Sequence, residues 1–537
     1  MEFDILGLNP LTVLVFGPGL SALIIAALPN NKVLSRWLSL ALSLVIAAVA
    51  VAVFANYNNT FMDDPNVSAF QFQTQAEWFT LLGSSWHLGI DGISATMVLL
   101  TGILVPLAIL ISWEVDDRPS IHLALILFFE MGLMGVFVAM DLMVFFLFYE
   151  LSLVPIYFLI DQWGGKNRKY AATKFMIYSV GGTLGMLLAT QLIGWTAGTF
   201  DIQQLSQIWP RFMGENGSFL GIDINTVKGL SFAGFLIAFG IKVPIWPFHT
   251  WLPDAHGEAP TAGSMLLAGV MLKLGAYGFI RLVVPFFPDV WIGEINLLGL
   301  QFTAAGLFAF LAMLGIVLGA FAAFGQNDIK RLVAYSSVNH MGFVAIGIAA
   351  MAVAYGQAWA NGSEEHMQSG IIAANGAVLQ MFNHGLSSAA MFLLAGGIYH
   401  KTHTRDLREY GGLWVKAPIY GGIFIFTSMA SLGLPGLNGF VSEFLVVRGT
   451  FPIFTWLTAI SMIGLLFTGA YILKGIRATL HGPFNMKWRD TALEIEPREV
   501  VAVVPLMILI VITGIFPNWI LPIINDSVTI MMHSITG

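Results

Sequence analysis

Three scarcities narrow what this 537-residue chain can be. It has no cysteine, which excludes disulfides, cysteine-ligated iron–sulfur clusters and C-x-x-C-H haem attachment. Only 10% of its residues are charged and 57% are hydrophobic, whereas soluble domains are about 25% charged. It lacks a Gly-rich phosphate motif after a strand, a basic patch of the size that nucleic acid requires, and a positive N-terminal region typical of a signal peptide. These features predict an integral membrane protein with no nucleic-acid partner.

Long apolar runs dominate what is present. Fourteen of them are long enough to cross a bilayer as helices, and lipid cannot satisfy the bare backbone of irregular segments. We therefore predict an all-α polytopic membrane protein. The predicted spans are 11–28, 35–55, 93–113, 120–140, 142–160, 171–195, 229–251, 262–286, 300–322, 332–353, 371–398, 418–447, 453–473 and 500–522.

Basic residues are distributed very unevenly between alternate loops. One set of loops carries most of the 24 lysines and arginines. The other set has only Arg211, Lys228 and Arg448, and Lys242, Lys273 and Arg281 fall within helices. The positive-inside rule then places both termini and the loops 56–92 and 196–228 outside the cytoplasm.

Two of the predicted helices are interrupted by proline. Pro244 and Pro247 follow Lys242, and Pro435 lies in LGLPGLNG at 432–439. The two breaks are five helices apart, and since five is odd, the two units have opposite orientations in the membrane. Paired broken helices in inverted halves indicate a transport site, although simple kinking remains an alternative.

This spacing predicts four divisions of the chain, which comprise two inverted five-helix repeats and their flanking segments. They are residues 1–113 with helices 1–3 and an exterior loop, 114–286 as the first repeat, 300–473 as the second repeat, and 474–537 with a cytoplasmic loop, helix 14 and an exterior C-terminus.

Five ionisable residues fall inside the apolar runs: Glu130, Glu150, Lys242, Lys273 and Glu443. A charge at the centre of a bilayer costs about 2.5–3.5 kcal/mol on insertion scales, so such residues mark candidate functional sites. A glutamate that approaches or leaves a buried lysine changes the affinity of that lysine for protons. The series therefore predicts a proton relay. Structural ion pairs for the glutamates and snorkelling for the lysines are the alternatives.

His340 and His384 lie in the middle of adjacent predicted helices, between Lys273 and Glu443 in the sequence. Imidazole gives and takes protons near neutral pH, which suits a bridge. A hydrogen-bonded core role and ligation of a haem iron are the alternatives.

A second polar cluster, His249, Asp254, His256 and Glu258, follows the first proline break. No zinc spacing matches it, so a proton-collecting mouth or a structured loop is expected rather than a metal site. The basic loop 400–412 serves to anchor topology or to dock a partner.

Several motifs resemble those of the antiporter-like subunits of respiratory complex I. The resemblance covers about 85–500, and its motifs occupy residues 148–165, 170–175, 241–278, 335–343 and 431–444. Within that family, the M-type or chain 4 branch is favoured by Glu443, where the L and N types carry lysine, by YGGLW at 410–414, and by an expected end after helix fourteen without a long lateral helix.

The resemblance implies proton translocation coupled to quinone reduction elsewhere in the complex. Carried over by motif, Glu150 and Lys242 are the modulating pair, Lys273 the central relay and Glu443 the exit site, with His340 and His384 as linkers and Glu130 as a lateral carboxylate. It also implies no cofactor in this chain, with flavin, iron–sulfur clusters and quinone in partner subunits, and L- and N-type subunits as neighbours. A subunit of a multisubunit sodium/proton antiporter is the alternative.

Overall fold

The computed structural model describes residues 7–28, 31–58, 68–213, 217–219, 221–297 and 300–534. Parts of the predicted exterior loops 56–92 and 196–228 lie outside these ranges. The α-helices are α1 Pro10–Ala27, α2 Lys32–Asn56, α3 Gly92–Ile111, α4 Pro119–Val138, α5 Leu142–Leu151, α6 Leu153–Trp163, α7 Arg168–Ala197, α8 Ile202–Ile208, α9 Ile224–Lys242, α10 Trp251–Glu258, α11 Thr261–Leu266, α12 Leu272–Gly278, α13 Val284–Phe286, α14 Pro288–Ile292, α15 Ala304–Gly325, α16 Ile329–Asn361, α17 Met367–Thr402, α18 Pro418–Leu432, α19 Asn438–Thr450, α20 Thr455–Leu480, α21 Pro497–Ile515 and α22 Leu521–His533.

Shorter elements join these helices. Two π-helical turns, Leu267–Met271 and Phe279–Val283, link α11, α12 and α13 into one continuous rod. The 3₁₀ turns are Thr80–Leu82, Ser112–Glu114, Leu407–Glu409, Leu413–Val415, Met486–Trp488 and Pro517–Trp519. The strands are β1 Gln71–Phe79, β2 Ser84–Ile90, β3 Ser218–Phe219, β4 Ile222–Asp223, β5 Glu294–Leu297 and β6 Leu300–Thr303, and they form three antiparallel hairpins.

Within the described ranges, 13 helices are long and apolar enough to cross a membrane. They correspond to the predicted spans except the twelfth, 418–447, which is divided into α18 and α19 around Pro435. The predicted architecture of about fourteen spans, with the seventh and the twelfth broken, therefore agrees with the structure. The proposed inverted repeats remain a prediction, although the two broken helices occupy the fourth place in each predicted group of five.

The predicted break in span 229–251 is present, since α9 ends at Lys242 and Pro244 and Pro247 cannot sustain the backbone hydrogen bonds. Two features differ from the sequence-based expectation. The predicted loop 56–92 contains the β1–β2 hairpin. A further helix, α22, follows the last predicted span, and its buried Ile524, Val528 and Met532 show the four-residue spacing that packs it inward.

Aspartates begin several helices. Asp91, Asp141, Asp201 and Asp328 each accept a hydrogen bond from a backbone N–H in the first turn of α3, α5, α8 and α16 respectively. Such caps satisfy N–H groups that the helix itself leaves unpaired. They also fix where the apolar segments start, which explains why most predicted boundaries lie within a few residues of the observed ones.

Loops of the same predicted set contact each other. Backbone bridges join Leu88 to Ala139 and Asp141 to Asp201 on one surface of the bundle, and Asp328 to Asp406 on the other. The surface that carries the Asp328 bridge also carries most of the basic residues, and it is called the basic surface below.

The centre of the bundle consists of three helical rods. The 261–286 segment, α16 and α17 have apolar windows that are entirely buried, whereas those of α2, α20 and α21 are only 33% buried. The outer helices therefore present apolar side chains to lipid. The three central rods are enclosed by protein, which is where polar side chains are tolerated in a membrane.

Candidate proton-transfer site

The first link of the buried polar chain joins two of the central rods. Lys273 lies in α12 directly after the π-helical turn Leu267–Met271, and its Nζ donates to the carbonyl oxygen of Ala268. The same Nζ is 2.8 Å from Nδ1 of His384 in α17. π-turns inside helices frequently lie at functional sites. The π-turn and the Lys273–His384 contact therefore both indicate a functional position.

The second link joins α17 to α16. The rings of His384 and His340 have centroids 5.7 Å apart and are tilted by 47°. Both histidines are buried, and Nε2 of His384 has no hydrogen-bond partner among the described residues. The two imidazole rings are therefore close enough for a single bridging group to connect them.

The third link ends at the second broken helix. Nδ1 of His340 is 2.8 Å from Oε1 of Glu443, which also accepts a hydrogen bond of 3.1 Å from Nε2 of Gln380. Nε2 of His340 lies 3.4 Å from the hydroxyl of Tyr471. Both nitrogens of His340 therefore have polar partners, and the ring joins Glu443 to Tyr471.

Side-chain amides hold the helix break beside Glu443. Nδ2 of Asn383 donates to the carbonyl of Asn438 at 2.7 Å, and Nδ2 of Asn438 donates to the carbonyl of Asn383 at 3.1 Å. The hydroxyl of Ser442 donates to the side-chain carbonyl oxygen Oε1 of Gln380 at 2.5 Å. These bonds replace those lost where α18 ends, and they fix α19 with Glu443 against α17.

The predicted Glu150–Lys242 pair has a different geometry from a salt bridge. In the described part of the chain, Nζ of Lys242 has no hydrogen-bond partner. It lies 5.2 Å from the ring centroid of Tyr149 and 5.6 Å from that of Phe175. Glu150 acts on it electrostatically over a longer range, so an opposite charge is near but not in contact.

Lys242 also differs from its predicted place in the middle of a helix, because it is the last residue of α9. A cation there is stabilised by the negative end of the helix dipole. The backbone of α12 approaches closely at Gly275, where an added Cβ would lie 2.8 Å from Cβ of Lys242. The helices of Lys242 and Lys273 therefore touch, but no side-chain contact between the two lysines is present in the described structure.

Glu130 is fully buried in α4, and neither of its carboxylate oxygens has a hydrogen-bond partner among the described residues. It is thus not connected to the Lys273–Glu443 chain by side-chain contacts. Its predicted role as a lateral carboxylate stays a prediction.

The carboxylates of the cluster after the first break are held by basic side chains. Asp254 contacts Lys174 at 2.7 Å and Arg331 at 2.5 Å, and Glu258 contacts Arg405 at 3.1 Å. Across the ranges described, no group of three or more metal-ligating residues is positioned to hold an ion. The carboxylates therefore tie α10 to α7, α16 and the 403–406 loop.

Sequence reasoning missed the polar partners that complete the site. Gln380, Asn383, Ser442 and Tyr471 carry no charge, and an uncharged polar residue in an apolar run gives little signal. Arg281 was assigned to a helix without a partner, yet it forms a 2.5 Å ion pair with Asp91 and contacts Tyr277. The available signal was Asp91 itself, a lone acid immediately before an apolar run.

Known proteins resemble the chain along nearly its whole length. NADH-quinone oxidoreductase subunit M of Rhodobacter capsulatus is 37% identical over 533 residues, covering 98% of this chain and 97% of that protein. NAD(P)H-quinone oxidoreductase chain 4 2 of Thermosynechococcus vestitus is 38% identical over 517 residues, covering 95% and 89%.

A solved structure and a family model agree with these relatives. A chain of respiratory complex I from Thermus thermophilus with bound NADH superposes with a TM-score of 0.81 at 26% identity, covering 98% of this chain and 100% of that one. This likeness confirms the predicted helical membrane fold. The model of the NADH:quinone oxidoreductase/Mrp antiporter transmembrane family matches residues 139–361 and 365–468. The chain belongs to that family, as its motifs predicted.

Proposed function

We propose that this chain is a proton-translocating membrane subunit, of the M or chain 4 type, of an NADH–quinone oxidoreductase. Relatives with that name, similar over almost their full length, support the assignment. The observation that carries the mechanism is the run of contacts from Lys273 through His384 and His340 to Glu443. It crosses the three central rods, where protein rather than lipid surrounds the side chains.

The chemistry of these groups suits proton transfer. A buried lysine beside an imidazole exchanges a proton with it, and each imidazole can accept at one nitrogen and release from the other. Glu443 then receives the proton at the second broken helix. Glu150 and Lys242 supply the control, since a change in their separation alters the local field that the next lysine experiences.

Redox chemistry belongs to partner subunits in this proposal. Flavin, iron–sulfur clusters and quinone are expected there, and for the clusters this agrees with the lack of a cysteine ligand in this chain. The expected neighbours are other membrane subunits, including those of the L and N types. The expected setting is a bacterial inner membrane with both termini outside the cytoplasm, and the expected divisions are 1–113, 114–286, 300–473 and 474–537.

A second candidate function is a subunit of a multisubunit sodium/proton antiporter, because the family that matches the chain includes Mrp antiporters. Purification of the intact complex separates the two. A co-purifying flavin and iron–sulfur absorbance supports the oxidoreductase, and a complex without these chromophores supports the antiporter.

The central test is Lys273→Met in the intact complex. Methionine keeps most of the volume and removes the titratable group, so we expect proton uptake per NADH oxidised to fall by roughly 100-fold at this subunit, in line with the contribution of a positioned acid–base group. Coupled pumping is measured in liposomes together with NADH oxidation.

Lys474→Met is the matched control, since Lys474 bonds the carbonyls of Phe324 and Gln326 near the basic surface, away from the buried chain. Pumping by this variant should equal that of the unsubstituted complex. Normal pumping by Lys273→Met in an assembled complex would refute the proposed function.

A further inference from the structure

A buried ammonium and a buried carboxylate oxygen lie near each other without a hydrogen bond between them. Nζ of Lys242 has no hydrogen-bond partner among the described residues, and neither has Oε1 of Glu150. Lys242 is only 1% exposed, and Glu150 is within electrostatic range of it. Buried polar atoms nearly always have a partner, and each exception calls for a reason. Since each group is the natural partner of the other, a further contact is needed to explain why they are not bonded.

Two aromatic rings supply that contact. Nζ of Lys242 lies 5.2 Å from the ring centroid of Tyr149 and 5.6 Å from that of Phe175. A cation within about 6 Å of a ring centroid is attracted by the negative face of the ring, and the attraction is strongest where water is excluded. Both rings are fully buried. Tyr149 and Phe175, called the aromatic pair below, therefore bind the ammonium without a hydrogen bond.

The first ring of the aromatic pair belongs to the helix that also carries the carboxylate. Tyr149 and Glu150 are consecutive residues of α5, so their side chains leave that helix about 100° apart. The ring of Tyr149 is held by stacking on Phe145 one turn earlier, with centroids 5.9 Å apart. A lysine has a flexible four-carbon side chain. Lys242 can therefore exchange the ring for the carboxylate without movement of either helix.

The second ring is fixed to the end of the helix that carries the lysine. Phe175 of α7 packs on Trp251, with ring centroids 5.4 Å apart. Nε1 of Trp251 donates to the carbonyl of Ile241 at 2.9 Å, and Ile241 directly precedes Lys242. The position of the ring relative to the ammonium is thus set by this hydrogen bond. Packing of a core phenylalanine alone does not require such a connection.

Resting on the proposed function, we propose that the aromatic pair positions Lys242, and that the ammonium alternates between this pair and the carboxylate of Glu150. When the ammonium contacts Glu150, the two opposite charges largely cancel at a distance. When the ammonium lies on the aromatic pair, its charge is not cancelled, and its field on Lys273 is larger. Tyr149 and Phe175 therefore stabilise the state in which the first half of the chain acts most strongly on the central lysine.

Fluorination of the Phe175 ring tests the proposal in the intact complex. Each fluorine weakens the negative face of the ring but adds little volume, so a ring with a purely structural role tolerates the series. We expect proton uptake per NADH oxidised to fall stepwise through monofluoro-, difluoro- and trifluorophenylalanine, by about 10-fold over the whole series. The fluorinated residues are introduced by stop-codon suppression, and pumping is measured in liposomes.

Ordinary substitutions at the same position add a second measurement. Phe175→Leu removes the ring, and Phe175→Trp supplies one that attracts cations more strongly, so the tryptophan variant should pump better than the leucine variant. The structure of the Phe175→Leu complex should show Nζ of Lys242 in contact with the carboxylate of Glu150.

Phe287 provides the matched control series. It is fully buried like Phe175, and its ring packs on the rings of Phe232 and Phe235, with centroids 5.6 Å and 6.3 Å away. The same fluorines at Phe287 should leave pumping unchanged, because the ring lies against other rings rather than against the ammonium.

Three results would overturn the proposal. They are a flat series at Phe175, an equal fall in both fluorinated series, and a Phe175→Leu structure in which Lys242 keeps its place. None of them changes the outcome of the Lys273→Met test, so failure of this proposal and failure of the proposed function are distinguishable.

Discussion

Glu443 and Glu130 are both buried glutamates, but their immediate surroundings differ. Glu443 accepts hydrogen bonds from His340 and Gln380, whereas neither oxygen of Glu130 has a partner among the described residues. Burying an unpaired carboxylate is costly unless it is protonated. At the scale of single residues, it is thus the partners, rather than burial, that separate a member of the polar chain from an isolated acid.

The Asp201–His87 pair gives a residue-scale prediction on the surface opposite the basic one. Burial by itself raises the pKa of Asp201, but hydrogen bonds from His87 and from the backbone N–H of Gln204 outweigh it and leave the pKa below its ordinary value. The folded protein therefore gains stability from Asp201 above a pH of about 3.9, the unfolded value. This gain is lost as the pH falls through the folded pKa.

We expect Asp201→Asn to lower the thermal unfolding midpoint at pH 6. Between pH 5 and pH 3, the midpoint of this variant should fall by less than that of the unsubstituted protein. Unfolding of the detergent-solubilised protein measures both values. Asp490→Asn, at an exposed position, should reproduce the unsubstituted curve. An equal acid-dependent loss in Asp201→Asn and the unsubstituted protein would contradict the assignment.

At the scale of elements, the close packing of α9 against α12 sets the position of Lys242. An added Cβ at Gly275 would come within 2.8 Å of both Cβ of Lys242 and the carbonyl oxygen of Phe239. Gly275→Ala should therefore force the two helices apart, with a loss of about 1–3 kcal/mol in stability and reduced pumping. Thermal unfolding and the liposome assay measure the two effects.

Gly181→Ala in α7 is the matched control for this substitution. An added Cβ there meets nothing within 4 Å, and alanine is favoured over glycine inside a helix by roughly 0.5–1 kcal/mol. The control should be neutral or slightly stabilised. If both variants behave alike, packing at Gly275 does not control the position of Lys242.

The two helix breaks position titratable side chains inside the bundle. At the first break the chain leaves α9 at Lys242 and resumes as α10, which places His256 against α17. At the second break it leaves α18 at Leu432 and resumes as α19, which places Glu443 against α16. Each break turns the chain so that a titratable side chain points into the bundle.

At the scale of the whole molecule, the alternation of basic loops predicts which surface faces the cytoplasm. The chain has no cysteine, so single introduced cysteines report topology without background. We expect Asp490→Cys, on the basic surface, to react with a membrane-impermeant maleimide only in inverted vesicles, and Ser534→Cys only in intact cells. Both positions are exposed. Reaction of both from the same side would refute the last predicted crossing, span 500–522, which separates the two positions.

The hydropathy of the sequence made most of the fold predictable. It does not predict segments whose conformation depends on tertiary contacts. Thirteen predicted spans correspond to long helices, because each apolar run has a single way to satisfy its backbone in lipid. The β1–β2 hairpin and α22 were not predicted, since outside the membrane many conformations of a short segment satisfy the backbone. Only contacts with neighbouring elements select one of them.

The candidate site follows the same rule. A charge inside an apolar run is expensive wherever it points, so the sequence alone singled out Lys242, Lys273, Glu443 and their companions. It could not determine which of them meet, because Lys273 and His384 are 111 positions apart and come together only through the π-turn, which packs on α17. The sequence determined which groups are buried in the membrane, since burial cost is a property of each residue. The tertiary structure decided which of them are in contact, since contact is a property of how the helices cross.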